Sequence, residues 1–429
     1  MNRPPALLCL LVLCASSLRA QVTGAAAAPR TVSLADAIAT AAQRAPLVAY
    51  AAGLRETARG RARVDGAFPN PSLEYRREND RTPLQPDVFV TATLPLDLTG
   101  RRVGLRAAGG ALVARSAADS AALTRDVMVE AARAWWRASL ARELAVIARE
   151  QQASLEGIAT FDETRLREGS VAPVVALRAR LEADRAQVAR SGAESEAARA
   201  TAELARAMGL DGDSAVAPAA MPLEPPRATG PANAANAANA ANAVMAAAVR
   251  DALQRRPELV GRQHAVEEAS LRLGAERRGV ISDLALIGGT KRTSGYDGVQ
   301  FGVSVPLPLF NLNGGARQQA LGVLQQAEAD LRETQHRVRA EVAGAVRTLD
   351  AQRAAQSVRA EQMGARGAEI AQIAELAYRE GGISQLELLE ARRASADARA
   401  AALRWLVDQH LAQLDLRRAT GAPILETTP

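Results

Sequence analysis

At 429 residues and a net charge of +6, the chain is long enough for about two or three globular domains, yet only 3% of it is aromatic. Few large side chains are on hand to fill ordinary cores, so closely packed alanine-rich helices fit better. The charge is spread along the helical stretches in mixed sign, which reads as solvated faces and excludes a nucleic-acid patch.

Residues 1–20 read as a secretory signal. Arg3 supplies the basic start, Ala6 to Ala15 the short apolar run, and Ala20 a small residue before a cut ahead of Gln21. The run is too short to span a bilayer as a helix. Cys9 and Cys14, the two cysteines, both fall inside it, so the mature chain has no thiol for a disulfide, a zinc site or a nucleophile. Lipidation of Cys14 stays open, although Leu13 stands where such sites usually carry a small residue.

A first unit covers residues 31–210. It opens with a helix over about Ser33 to Gly66. After Pro69-Asn70-Pro71, Leu73 and Tyr75 begin a strand. Its partner alternates Val88, Val90, Ala92, Leu94 and Leu96 with Phe89, Thr91, Thr93 and Pro95, a period of two with one apolar face. Gly104 to Arg167 then runs 64 residues without proline, roughly 100 Å as a helix, longer than any compact domain of this size accommodates. Trp135 and Trp136 lie in its middle and favour a contact between helices. Arg167-Glu168-Gly169 stops the helix and Ser170-Val171-Ala172-Pro173 leads into a returning one, about Val174 to Met208, forming a tight hairpin. Residues 211–244 are rich in proline, alanine and asparagine and read as a solvent-facing linker with disorder expected, halfway up the rod.

The second unit, residues 245–421, repeats the first. Gln43-Arg44-Ala45-Pro46 returns as Gln254-Arg255-Arg256-Pro257, Thr93-Leu94-Pro95-Leu96 as Ser304-Val305-Pro306-Leu307, and Arg167-Glu168-Gly169 as Arg379-Glu380-Gly381. The offsets are 211, 211 and 212 residues, the mark of tandem duplication. A helix over about Met245 to Gly279 precedes a strand begun by Leu284 and Leu286 after Ser282-Asp283. Val299, Phe301, Val303, Val305 and Leu307 then alternate with polar or small residues. Ala316 to Arg379 is the second proline-free rod. Leu331, Val338, Val342, Ala345 and Leu349 on it, and Leu403, Val407, His410 and Leu414 on the returning helix Gln385 to Thr420, step by sevens, fours and threes as coiled-coil seams do. Residues 422–429 form a tail.

Each strand run of about ten residues is near the length that crosses a membrane as a tilted strand. Four strands cannot close a barrel and open edges are not tolerated in lipid, so the chain must oligomerise if they span one. The alternative is a pair of soluble hairpins packed on the helix ends. Tyr75, Phe89, Tyr296 and Phe310 are candidates for an interfacial aromatic belt. Enzyme chemistry lacks its parts: no phosphate-cradling glycine loop, no paired carboxylates beside a histidine, no nucleophile with a base. His264, His336 and His410 are single and far apart. No metal site and no cofactor is expected.

The signal, the duplicated helix–strand–strand–long-helix unit, the Arg-Glu-Gly tips and Leu386-Glu387-Leu388-Leu389-Glu390-Ala391-Arg392 together resemble the TolC-type outer-membrane efflux ducts, over Thr31 to Gly421 apart from the linker. Gly289-Thr290-Lys291-Arg292 and the run from Val303 to Gly315 are similar to the CzcC-like branch that serves heavy-metal exporters. The resemblance implies a mainly α fold with a small β part: long antiparallel coiled-coil helices in a periplasmic tube, and four transmembrane strands per chain closing a 12-stranded barrel as a homotrimer. It implies outer-membrane lipid, a periplasmic adaptor and an inner-membrane RND-type pump as partners, no nucleic acid, and a passive duct that does no chemistry of its own. Glu387 and Glu390 match the inward carboxylates that narrow the family's mouth. Their first-unit equivalents are Val175 and Arg178, and the plain alternative is an exposed pair of Glu390 with Arg393. The tips Gly169, Ser170, Val171 and Gly381, Gly382, Ile383 match the adaptor-docking turns. Val88, Val90, Leu94, Val299, Phe301, Val303 and Val305 would face lipid. A drug duct of the same family and a soluble periplasmic coiled-coil adaptor or spacer are the alternatives.

Overall fold

The computed structural model describes residues 30–79, 86–211, 215–224, 237–280, 284–293 and 296–425. The expected signal, Cys14, Pro225, Pro226, Pro231, Ser282-Asp283 and the end of the tail lie outside the described residues.

The first repeat runs through β1 (Arg30–Val32), α1 (Leu34–Arg44), α2 (Pro46–Asp65), β2 (Ser72–Glu78), β3 (Asp87–Leu96), α3 (Arg101–Arg167) and α4 (Pro173–Ala207). The second runs through β4 (Val216–Pro218), α5 (Ala237–Arg255), α6 (Pro257–Arg278), β5 (Leu284–Thr293), β6 (Tyr296–Ser304), α7 (Gly314–Arg379) and α8 (Gln385–Thr420). The opening helix, read from sequence as one segment per repeat, is two in both. Pro46 and Pro257 each begin the second segment, where a missing N–H is tolerated, and they force extended backbone on Ala45 (φ −59°, ψ 133°) and Arg256 (φ −71°, ψ 122°). The break in the second repeat also buries Arg256, whose guanidinium is held by Glu258 and Glu341.

The two rods, α3 with 67 residues and α7 with 66, organise everything else. α3 packs against α2 and α6 towards its start and against α4 and α8 towards its end, while α7 packs against α5, α6 and α8. The helices therefore lie in one row: α2 and α4 end to end, then α3, then α6 and α8 end to end, then α7. Small residues permit the close spacing, as Gly104 lies against Ala275 and Gly109 against Ala62. Most of the buried core is alanine.

The largest core cluster sits midway along α3. Trp135, Trp136, Leu204, Met208, Leu406 and Val407 meet Val32, Val216 and Met221 there. Trp135 donates its indole N–H to the Val32 carbonyl at 2.8 Å, and Trp136 stacks on His410 with ring centres 4.0 Å apart. The described part of the linker is thus not wholly solvent-facing. β4 pairs in parallel with β1, Arg30 opposite Val216 and Val32 opposite Pro218, because the short apolar run supplies a ladder partner that delivers Met221 to the tryptophans.

The remaining strands form one antiparallel sheet in the order β2-β3-β5-β6, with β2 and β6 at its edges. β6 ends at Ser304, short of the expected Val305 and Leu307. Pro306 has no N–H for the ladder. Val305 consequently follows the strand without belonging to it. No helix among the described residues is long and apolar enough to cross a membrane.

Candidate functional site

Two ends of the molecule carry the residues singled out from sequence. At the sheet, register decides which side chains share a face, since Cα partners in neighbouring strands point the same way. Tyr75, Val90, Thr290 and Val299 form one row, Leu73, Ala92, Gly288 and Phe301 the next, and Leu94, Leu286 and Val303 a third. Val88 lies on this face at the far end, beside Arg77 and the Arg292–Asp297 ion pair. Phe301 is 87% exposed and Val299 70%, so the face is apolar and uncovered in the single chain. The opposite face carries Glu74, Arg76, Thr91, Lys291 and Gln300, and Gln300 reaches over Gly289 to donate to the Thr91 hydroxyl at 2.8 Å.

At the other end, the α3–α4 and α7–α8 turns are built alike. The Ser170 N–H donates to the Arg165 carbonyl (2.8 Å) and that of Gly169 to Leu166 (3.0 Å); the Gly382 N–H donates to Ala377 (2.7 Å) and that of Gly381 to Tyr378 (3.0 Å). Each is a Schellman stop whose glycine sits in the left-handed region, φ +74° at Gly169 and +77° at Gly381. Gly169, Ser170, Gly381 and Gly382 are exposed, Val171 is half-buried, and Ile383 packs partly into the cluster of Leu155, Ile158 and Leu388.

Residues 248–422 match the family model described as outer membrane efflux protein. The match covers the second repeat. No curated protein matches. Among solved structures, the chain is similar to CusC (20% identity, TM-score 0.72, covering 91% of this chain and 92% of that one). It is also similar to the outer membrane channel CmeC of Campylobacter jejuni (16%, TM-score 0.76, covering 90% and 85%). A third likeness is the open state of the MtrE outer membrane channel of Neisseria gonorrhoeae (20%, TM-score 0.73, covering 92% and 90%). At these identities the structures establish the fold, and they do so across both repeats.

The two carboxylates singled out on α8 differ in their surroundings. Glu387 closes a capping box: its carboxylate accepts from the Ser384 N–H at 2.7 Å, and the Ser384 hydroxyl accepts from the Glu387 N–H. The backbone bond from Ser384, then its hydroxyl, holds the Glu387 carboxyl below the usual carboxylate range. Glu390 is exposed one turn on, and among the described residues it makes no ion pair; Arg393 reaches Glu182 on α4 instead, at 2.8 Å.

Sequence reading missed the polar knot beneath these tips. Asp162 on α3 is fully buried and accepts from the Tyr378 hydroxyl of α7 (2.5 Å) and from Gln385 Nε2 of α8 (2.8 Å). The same Gln385 nitrogen donates to the Val175 carbonyl of α4 at 2.8 Å, so four helix ends meet in one network. Its only sequence signal is a polar residue among Leu155, Ile158 and Ala159 on a seam. The tips also give a direct prediction. Valine at Gly169 or Gly381 meets open space but a left-handed backbone, costing about 1–2 kcal/mol each, so both variants are expected to melt a few degrees lower while retaining helix content by circular dichroism.

Proposed function

We propose that the chain is the outer-membrane duct of a tripartite efflux system: a homotrimer whose strands close one barrel and whose helices continue it as a tube through the periplasm. The observation that carries this reading is that both layers end in unlike open edges. The sheet stops at β2 on one side and β6 on the other. The helical row stops at α4, with Val174, Leu177, Leu181 and Val188 exposed at coiled-coil spacing, and at α7, with Ile370, Ile373 and Leu376 exposed. Unlike edges that fit one another join head to tail, and rotation closes them into a ring. Three copies of a four-stranded sheet bring the strand count into the range of closed membrane barrels, removing every edge from lipid.

On this reading the secretory signal delivers the chain to the periplasm, the apolar sheet face meets outer-membrane lipid, and the Gly169 and Gly381 turns meet an adaptor that links the tube to an inner-membrane RND-type pump. A soluble spacer would gain nothing from an uncovered Val299–Phe301 face. The test is the behaviour of the purified protein: a detergent-requiring trimer by crosslinking that conducts in planar bilayers supports the duct, and a monomer stable in plain buffer overturns it.

The proposed cargo is metal cations. Support comes from the likeness of Gly289 to Arg292 and Val303 to Gly315 to the heavy-metal branch, and from Glu387 and Glu390, which three copies would set around the mouth. Glutamine at both positions preserves the capping geometry and removes the charge. The doubly substituted channel is expected to lose part of its preference for potassium over chloride, measured as reversal potential across a KCl gradient; an unchanged preference removes the carboxylates from the gate.

A further inference from the structure

The polar face of the sheet has a charge order that the mouth carboxylates do not explain. β2 leaves the helices at Ser72 and ends at Glu78, so rows can be counted inward from the end far from the helices. The outermost holds Glu78, Asp87, Thr293 and Tyr296; the next on the same face holds Arg76, Phe89, Lys291 and Gly298; the third holds Glu74, Thr91, Gly289 and Gln300. Successive rows on one face stand about 7 Å apart, within a Debye length at physiological salt.

Within the middle row the two cations have different company. The Arg76 guanidinium lies over the Phe89 ring, 4.9 Å from its centre, and pairs with Glu78 at 3.4 Å. Lys291 makes no ion pair among the described residues, and its alkyl chain lies over Gly298, where a Cβ would come within 3.5 Å of Lys291 Cε. Glycine there leaves the lysine room to lean across β6. Lys291 is also the only lysine in the chain, in a protein that otherwise uses arginine for its basic positions.

We propose that Lys291, with Arg76 in the same row across Phe89, forms a basic collar in the barrel that draws anions, a second selectivity element opposite in sign to the carboxylates at the mouth. This rests on the duct reading, which turns the polar face of the sheet into the lumen. Three copies put a ring of lysines that make no ion pair among the described residues between two acidic rows, so an anion crossing the barrel finds its contact at this level. The collar and the mouth lie at opposite ends of rods about 100 Å long, so their effects on selectivity are independent.

The test is reversal potential of the reconstituted wild-type trimer across a KCl gradient, compared with Arg76→Gln/Lys291→Gln. Removing the collar is expected to raise the potassium-to-chloride permeability ratio about twofold, the reverse of the shift from Glu387→Gln/Glu390→Gln. Should the double variant fail to assemble, acetylating the wild-type channel with an amine-reactive ester neutralises the same lysine after assembly. That treatment is expected to shift the ratio in the same direction, and to leave Lys291→Arg channels unmoved. Conducting channels whose ratio changes neither on substitution nor on acetylation overturn the collar alone. Wild-type protein that forms no channel overturns the duct reading and the collar with it.

Discussion

Arginine at Phe301 or at Val90 is expected to abolish stable insertion, while arginine at Gln300, one residue away, leaves assembly intact. Phe301 stands in the middle row of the apolar face, opposite Gly288 and in line with Ala92, and the charged residues of this face lie beside Val88 at the far end. A lipid-facing arginine near the bilayer midplane costs about 2–4 kcal/mol per chain, and a ring of three copies multiplies that. Gln300 lies on the other face, hydrogen-bonded to Thr91, where a charge meets water. The measurement is the fraction of protein recovered as heat-modifiable trimer in outer-membrane extracts. Equal loss from Phe301→Arg and Gln300→Arg would mean that the two faces are not sorted between lipid and water, and that the sheet is a soluble cap.

The faces of this sheet were legible before any coordinates because period two is a local signal, and so were the rods, since a stretch of 64 residues without proline has few other uses. The tip glycines followed from the same local rules, and the structure finds both in the left-handed region. What escaped was of two kinds. Some features depend on how one residue alters its predecessor: Pro46 and Pro257 divide the opening helices although the apolar pattern runs on across them. Others depend on partners far apart in the chain. Val32 with Pro218, and Asp162 with Tyr378 and Gln385, are separated by about two hundred residues and leave no periodic trace. Repetition itself misled at one point. The motif Thr93 to Leu96 returns as Ser304 to Leu307, yet β3 stays paired with β5 up to Leu96 while β6 stops at Ser304. Glu387 was visible as an acidic residue behind a tip; that its carboxylate is already engaged by Ser384 was readable from the Ser-x-x-Glu spacing of a capping box.

Removing the Tyr378 hydroxyl is expected to loosen the helical mouth. Asp162 is wholly enclosed, and Tyr378 and Gln385 supply the two side-chain donors to its carboxylate, so Tyr378→Phe leaves a buried acceptor short of a partner at about 1–3 kcal/mol. In an Asp162→Ala background the same substitution removes a bond that no longer exists, and the second loss is expected to be smaller than the first. The network joins α3, α4, α7 and α8 at their tips, which the duct proposal makes the mouth: Tyr378→Phe channels are expected to show larger closed-state current than wild type. An alkaline titration supplies a separate reading. Burial first, and then the bond to Asp162, push the Tyr378 phenol up to about 12 from an ordinary value of 10.0. The stabilisation it brings is therefore whole below pH 10 and is lost as pH rises towards 12, because the unfolded phenol ionises first. Between pH 9 and pH 11.5 the wild type is expected to lose more melting temperature than Tyr378→Phe does. Parallel losses in the two proteins would show that the hydroxyl carries no such linkage, and a mouth current unchanged by Tyr378→Phe would place the constriction elsewhere than at this knot.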